Sequence, residues 1–378
     1  MKKICMFCIG DLYSKQSGGT KRFLELFHHL ISRGYEVDLY SNTAQESLEK
    51  NGIKGYSLNT TYEKKSILNI PSYIIYVNNK EIYNEIKKKK YDYVISFDVP
   101  STIGLVLKKI PNIIFCVRQD LLKYRKIQYE SRKMKIIKKY LLLSVGWIME
   151  GICLFGSKKI IIQCKYDLNE LLKRHWILKR SISKKSKIQI NNVNPFWTIK
   201  NIFMLQDKKE KHYDLIYVGN FDDKRKGAEL FLETVDLLYK KGRILKVILL
   251  GNGDLLEENK KKYRDNTNIN FKGYVENPIQ YLQKSKLVVV PSYADSCPNT
   301  IMEALMAQVP VIGANVSGIP EILNKEEWLF ELDAIKIAEK IDEIFQNDKL
   351  EIIEKEQKIR KKELEFNWGR EIEKLIFN

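Results

Sequence analysis

Histidine is scarce, with four in 378 residues: His28, His29, His175 and His212. Only two are neighbours, so no cluster suits a zinc or copper centre. Cysteine is limited to Cys5, Cys8, Cys116, Cys153, Cys164 and Cys297. The one C-x-x-C, Cys5 and Cys8, lies on a strand-like run, where an offset of three sends side chains to opposite faces. No second pair completes a zinc ribbon. These cysteines read as small buried hydrophobes of a reducing compartment. Long apolar runs are missing too. The opening "MKKICMFCIGD" is cut short by Asp11 and lacks a cleavage pattern. The stretch "YLLLSVGWIMEGICLFG" at 140–156 contains Glu150 and falls short of a span. A cytoplasmic chain without a transmembrane helix is expected.

Acidic residues are outnumbered, 47 to 65, leaving a formal net charge of +18. Such an excess suits nucleic acid, an anionic membrane surface or phosphorylated substrates, or else is simply a solvated lysine-rich surface. The sequence carries no aromatic-basic motif of the RNA-binding type and no recognition-helix signature, so no nucleic-acid partner is expected. It has no strand-flanked D-x-D, and no metal is expected. The Asp222–Asp223 pair is the one alternative place for magnesium.

What the chain does contain is an alternation of short apolar runs and helical patterns. "KICMFCIG", "EVDLY", "YDYVISF", "NIIFCV", "KKIIIQC" and "KIQINN" form a first series. After a polar stretch near 195–211 come "YDLIYVG", "KVILLG", "NINFKGY", "KLVVVPS" and "VPVIGA". Val- and Ile-rich runs separated by helices indicate βαβ units and parallel sheets. The fold class expected is α/β, with two doubly wound, Rossmann-like domains. Their expected limits are 1–194 and 195–360, followed by a closing helix at 361–378.

Each half opens with strand, loop and a helix start rich in Gly and cations: "SGGTKRFLELF" and "KRKGAELFLETV". Glycine lets a backbone approach a ligand, and helix N-termini attract anions. The most informative stretch is "PSYADSCPNTIME" at 291–303, directly after "KLVVV". Ligands in parallel sheets bind beyond the carboxyl ends of the strands. A diphosphate would meet the helix that starts near Pro298, Asn299 and Thr300. Asp295 and Glu303 could then hold sugar hydroxyls; alternatively Asp295 caps a turn and Glu303 is a surface helix residue.

The residues that follow favour the first reading. Pro291, Ser292, Glu303, Ala304, Ala307, Pro310, Val311, Ile312, Gly318, Pro320 and Glu321 form an ordered set. This set closely resembles the donor signature of retaining GT-B glycosyltransferases of family 4, the group 1 glycosyl transferases. Asp295 replaces the first glutamate of that pattern, Gln308 and Val309 replace small residues, and Ser317 replaces a glycine. The resemblance extends to "YVGNFDDKRKGAELFLE", to "ILLGNGD", to "IQINNVN" with Asn191 at the hinge, and to the closing "FNWGREIEKL".

The resemblance implies a GT-B architecture, with two Rossmann-like domains facing each other across a cleft. It implies a retaining transfer from a nucleotide-sugar, a UDP-sugar before a GDP-sugar. The acceptor would be a saccharide, by default lipid-linked, in bacterial surface polysaccharide synthesis. No cofactor is required; the nucleotide-sugar is a co-substrate. Carried over residue by residue, the catalytic positions are Asp295, Glu303, Lys226 and Gln119. Donor-binding positions are Gly18, Gly19, Gly219, Asn220, Arg225, Gly251, Gly253, Ser296, Cys297, Pro298, Asn299 and Thr300. Asn220 stands where the family has an arginine, leaving Arg225 or Lys224 as substitutes. Gln119 stands where the family often has histidine, and offers an amide but no titrating group. These departures support an alternative reading, a catalytically impaired nucleotide-binding protein.

Residues 123–139, "KYRKIQYESRKMKIIKK", carry eight cations and one acid. Read as a helix, they place Tyr124, Ile127, Met134 and Ile137 on one side. Lys123, Arg125, Lys126, Arg132 and Lys133 would face an acceptor or an anionic leaflet, with peripheral attachment through 123–156. The alternative is an amphipathic helix packed on its own sheet.

Overall fold

The computed structural model describes residues 2–13, 18–58, 79–132, 134–193 and 210–378. The chain divides into two compact units. The first comprises Met1–Leu122, Lys135–Gln189 and Asn367–Asn378; the second comprises Lys123–Met134 and Ile190–Phe366.

The first unit is built on a parallel sheet of β1 (Lys3–Cys8), β2 (Glu36–Ser41), β3 (Gly55–Ser57), β4 (Tyr93–Phe97), β5 (Ile113–Val117), β6 (Lys159–Ile162) and β7 (Ser186–Ile188). Their order is β3-β2-β1-β4-β5-β6-β7. Every residue of β5 is buried, which explains its unbroken apolar sequence: helices cover both faces of a parallel sheet. The strand order reverses at β1, so the loop leading to helix Gly18–Ser32 opens at the switch point. All six cysteines are buried. Burial, with a smaller push from Asp98, raises the Cys8 thiol to about 12, so it stays protonated and inert.

Helix Ile136–Gly156 starts earlier than the sequence pattern suggested. At 21 residues it is long and apolar enough to cross a membrane by length and composition. Its Gly146, Met149, Glu150, Cys153 and Leu154 are nevertheless buried in the first unit. Glu150 accepts from Arg174 Nε at 2.8 Å and lies 2.8 Å from His175 Nε2, while Arg174 also grips Asp120 at 2.9 Å.

The second unit is a parallel sheet of β8 (Tyr213–Val218), β9 (Val247–Leu250), β10 (Ile269–Gly273), β11 (Ser285–Val290), β12 (Val311–Ala314) and β13 (Leu329–Phe330). The order is β10-β9-β8-β11-β12-β13, reversing at β8. Its loops after β8, β9 and β11 therefore leave the same edge on both sides of the reversal. The short strands β3 and β13, "GYS" and "LF", escaped sequence reading because neither lies in a Val- and Ile-rich run.

Unit limits differ from the sequence-based ones for local reasons. Residues 191–193 are tied into the second unit: Asn192 Nδ2 donates to Phe366 O at 2.8 Å and Val193 N to Leu364 O at 3.1 Å. The change therefore comes at 189/190, and the expected limit at 194/195 lies outside the described residues. The return to the first unit begins at Asn367 rather than 361, because Trp368 is buried there beside the Arg22 guanidinium. Glu373 then holds His29 and Tyr35, each at 2.8 Å, so His29 is a packing residue. The segment Lys123–Met134, expected in the N-terminal domain, belongs to the second unit.

Candidate donor site

In the second unit, the loop after β8 is shaped by Asn220. Its Oδ1 accepts from the amides of Asp222 (2.8 Å) and Asp223 (3.1 Å), and its Nδ2 donates to Asn252 Oδ1 at 3.0 Å. The asparagine thus builds a turn with a side chain that faces its own loop. The Asp222–Asp223 pair is also engaged. Asp222 accepts from the first amides of helix Asp254–Lys262, at 2.9 and 3.0 Å, and so caps it. Asp223 holds the Arg225 guanidinium at 2.6 Å. Burial works against the Arg225 charge, but the Asp223 carboxylate outweighs it and raises the guanidinium pKa above its ordinary value.

Two glycines make the loop approaches feasible. A Cβ at Gly227 (φ 70°) would overlap the Pro291 carbonyl, and one at Gly251 (φ 151°) the Gly219 carbonyl. The first lets the cationic loop lie against the end of β11; the second brings the β9 loop, with Gly253, against Gly219.

The consequence is that segments 219–227 and 295–303 meet. Lys226 Nζ lies 2.6 Å from Asp295 Oδ2, with both side chains largely buried. Asp295 Oδ1 accepts from Cys297 N at 3.3 Å and its carbonyl from Gly318 N at 3.1 Å. Asp295 therefore caps a turn while also fixing the lysine. Helix Asn299–Met306 starts after Pro298, and Thr300 Oγ1 reaches Val218 O at 3.4 Å. Ser296 and Cys297 are buried beneath this start, and Asn191 Nδ2 lies 3.4 Å from Cys297 O. Glu303 is half-buried one turn inside the helix. Lys224 pairs with Glu229. Each cation of the loop thus holds a carboxylate, and an incoming diphosphate would take over those partners.

Two helix-like segments depart from sequence expectation. Tyr124 of helix Leu121–Ser131 lies under the Arg225 guanidinium, 4.1 Å from ring centroid to Cζ. Lys123 Nζ donates to Ser317 Oγ at 3.0 Å. Lys123 therefore packs against the turn before helix Ile319–Leu323 in the second unit. Arg125 is half-buried, Lys126 and Arg132 are exposed, and Lys133 lies outside the described residues. The helix ends at Ser131, so Ile137 belongs to a different helix from Tyr124. Sequence reasoning missed Tyr124 as a site residue, since nothing local links it to a loop a hundred positions on. Tyr124→Ala should expose Arg225 and weaken nucleoside diphosphate binding by about 0.5–2 kcal/mol, the range of a cation–π contact; calorimetric titration checks it, and unchanged affinity removes Tyr124 from the site.

The remaining sequence-based positions lie in the first unit. Gly18 and Gly19 open helix Gly18–Ser32. Gln119 follows β5 between two fixed neighbours: Arg118 N donates to Asp98 Oδ1 at 3.0 Å, and Asp120 is clamped by Arg174.

The departures from the family's glycines also have a structural reading. Gln308 (φ 54°) and Ser317 (φ 52°) both hold left-handed backbone. Gln308 follows the end of helix Asn299–Met306, where Val309 N bonds Ala304 O, the closing pattern that favours glycine. Its side chain is exposed, so Gln308→Gly should raise stability by about 1 kcal/mol. A denaturation midpoint equal to or below that of the parent would refute the strain.

Comparison with known proteins agrees with this geometry. Residues 212–347 match the family model "Glycosyl transferases group 1". The capsular polysaccharide biosynthesis glycosyltransferase CapM of Staphylococcus aureus is 29% identical over 225 residues, covering 54% of this chain and 57% of that protein. This chain thus spans little more than half of that relative's length. Sucrose-phosphate synthase from Thermosynechococcus elongatus superposes with a TM-score of 0.71 at 18% identity, covering 99% of this chain and 98% of that one. Anabaena HepE, solved in complex with UDP and glucose, gives 0.68 at 13%, covering 99% and 98%. By fold, the chain is a GT-B protein. Within that fold, residues 212–347 of the second unit carry the match to the group 1 glycosyl transferase family model.

Proposed function

We propose that this chain transfers a sugar from a nucleotide-sugar, a UDP-sugar before a GDP-sugar, to a lipid-linked saccharide in bacterial surface polysaccharide synthesis. The transfer retains anomeric configuration, needs no metal and takes place at the cytoplasmic face of the membrane. The observation that carries this reading is the Lys226–Asp295 pair, which joins the cationic loop after β8 to the start of helix Asn299–Met306. CapM, whose name places it in capsule synthesis, and HepE, solved with UDP and glucose, support the pathway and the nucleotide.

The chemistry follows from charge. Cleaving a sugar–diphosphate bond makes the sugar cation-like and the leaving group more anionic. Fixed cations and amides at the diphosphate therefore stabilise the transition state more than the ground state. Lys226, Arg225 and the amides of Ser296–Thr300 would supply that field. Asp295 and Glu303 would hold sugar or ribose hydroxyls.

One observation favours a second reading. Asn220 occupies the family's arginine position and turns into its own loop, which removes a cation from the diphosphate and suits a protein that binds without turnover. Transfer of radiolabel from UDP-, GDP- and ADP-sugars to a lipid extract separates the two. Labelled lipid supports the enzyme. Nucleotide-dependent thermal stabilisation without transfer supports the binding protein. Absence of both rejects the site.

A further inference from the structure

Helix Ile136–Gly156 buries one side in the first unit and leaves the other bare. Ile136, Ile137, Tyr140, Leu141, Ile148 and Phe155 are exposed, Ile137 by 81%. At 100° per residue these positions fall within an arc of roughly 140°, a continuous stripe. Trp147, on the same stripe, stacks on His175 and donates from Nε1 to Arg174 O at 3.0 Å. That contact brings in the neighbouring turn Trp176–Leu178, whose Trp176 and Ile177 are 72% and 75% exposed. A soluble surface rarely presents so many large apolar side chains together.

The surroundings carry one sign of charge. Residues 131–149 and 175–189 contain no Asp or Glu. Lys135 and Lys138 border the helix start; Lys179, Arg180 and Lys184, all exposed, follow the turn, and Lys185 Nζ bonds Phe155 O at 2.8 Å.

We infer that this face lies on the surface of an anionic lipid leaflet, with the apolar stripe and Trp176 in the headgroup boundary and the cations at the phosphates. An apolar stripe edged by Lys and Arg with tryptophan at its rim matches the physics of interfacial helices. A spanning helix does not fit, because Glu150 is buried in an ion pair with Arg174 inside the protein. A second copy fits less well: a two-fold contact would set the same cations against each other. The attachment expected through 123–156 is thereby narrowed to helix Ile136–Gly156 and the turn Trp176–Leu178, because Lys123–Met134 belongs to the second unit. It is also independent of the donor site, so either reading can fail alone.

The full chain is floated with vesicles of phosphatidylcholine alone or mixed with phosphatidylglycerol, at low and high salt. The parent should float with the anionic vesicles, less so at high salt. The Ile137→Glu/Ile148→Glu variant should reduce the floated fraction roughly tenfold or more. The Lys179→Glu/Lys184→Glu variant should reduce it on anionic vesicles. Every substituted residue is exposed, so melting temperature and nucleoside diphosphate affinity should match the parent. A parent that stays unbound to anionic vesicles overturns the inference. So does a parent dimer in sedimentation that the Ile137→Glu/Ile148→Glu variant dissociates, which would make a second copy the occupant.

Discussion

Lys226→Ala is expected to weaken nucleoside diphosphate binding by roughly ten- to a hundredfold. A hydrogen bond to a charged group contributes about 1.5–3 kcal/mol, and 1.4 kcal/mol is tenfold. The structure adds a second effect of the same sign. Asp295 Oδ2 sits 2.6 Å from Lys226 Nζ and is largely buried, so removing the cation leaves a carboxylate facing the incoming phosphates. Asp295→Asn separates the two. With its partner neutralised, Lys226 is freed toward phosphate, and diphosphate affinity should hold or rise while transfer falls. The double variant Lys226→Ala/Asp295→Asn should then bind better than Lys226→Ala alone. Calorimetric titration of UDP, GDP and ADP against the four proteins closes the cycle. Equal affinity of the parent and Lys226→Ala would remove the lysine from the site.

Glu303→Gln is expected to lower turnover by more than tenfold while melting temperature stays unchanged. Glu303 lies one turn into helix Asn299–Met306, whose backbone closes through Ala307 N to Glu303 O at 2.9 Å. Glutamine preserves that bond, the side-chain volume and the helix. What it removes is the charge that strengthens a hydrogen bond to a sugar or ribose hydroxyl. If the gripped hydroxyl belongs to the transferred sugar, the loss appears in turnover with UDP affinity intact. If it belongs to the ribose, UDP affinity falls as well. Turnover within a factor of two of the parent would make Glu303 a helix surface residue.

Much of the fold was legible before any coordinates. Runs such as "NIIFCV" and "KLVVV" are buried on both faces, and an unbroken apolar strand can be read without knowing its neighbours. The loops of the candidate site were legible for a related reason. Gly227 and Gly251 are needed by local backbone geometry, and Pro298 marks a helix start wherever the helix goes. The unit limits were harder. Asn192 and Val193 look like linker residues, yet bonds to Phe366 and Leu364 draw them into the second unit.

The sequence by itself determined the two parallel α/β sheets, the placing of glycines and cations at strand ends, and the order of the donor signature. These depend on backbone conformation and burial, which neighbouring residues encode. Only the tertiary structure decided which charges meet: Lys226 with Asp295, Arg225 with Asp223 and Tyr124, Lys123 with Ser317. Such pairings join residues far apart along the chain, and their geometry exists only once the sheets are wound and the loops brought to one edge.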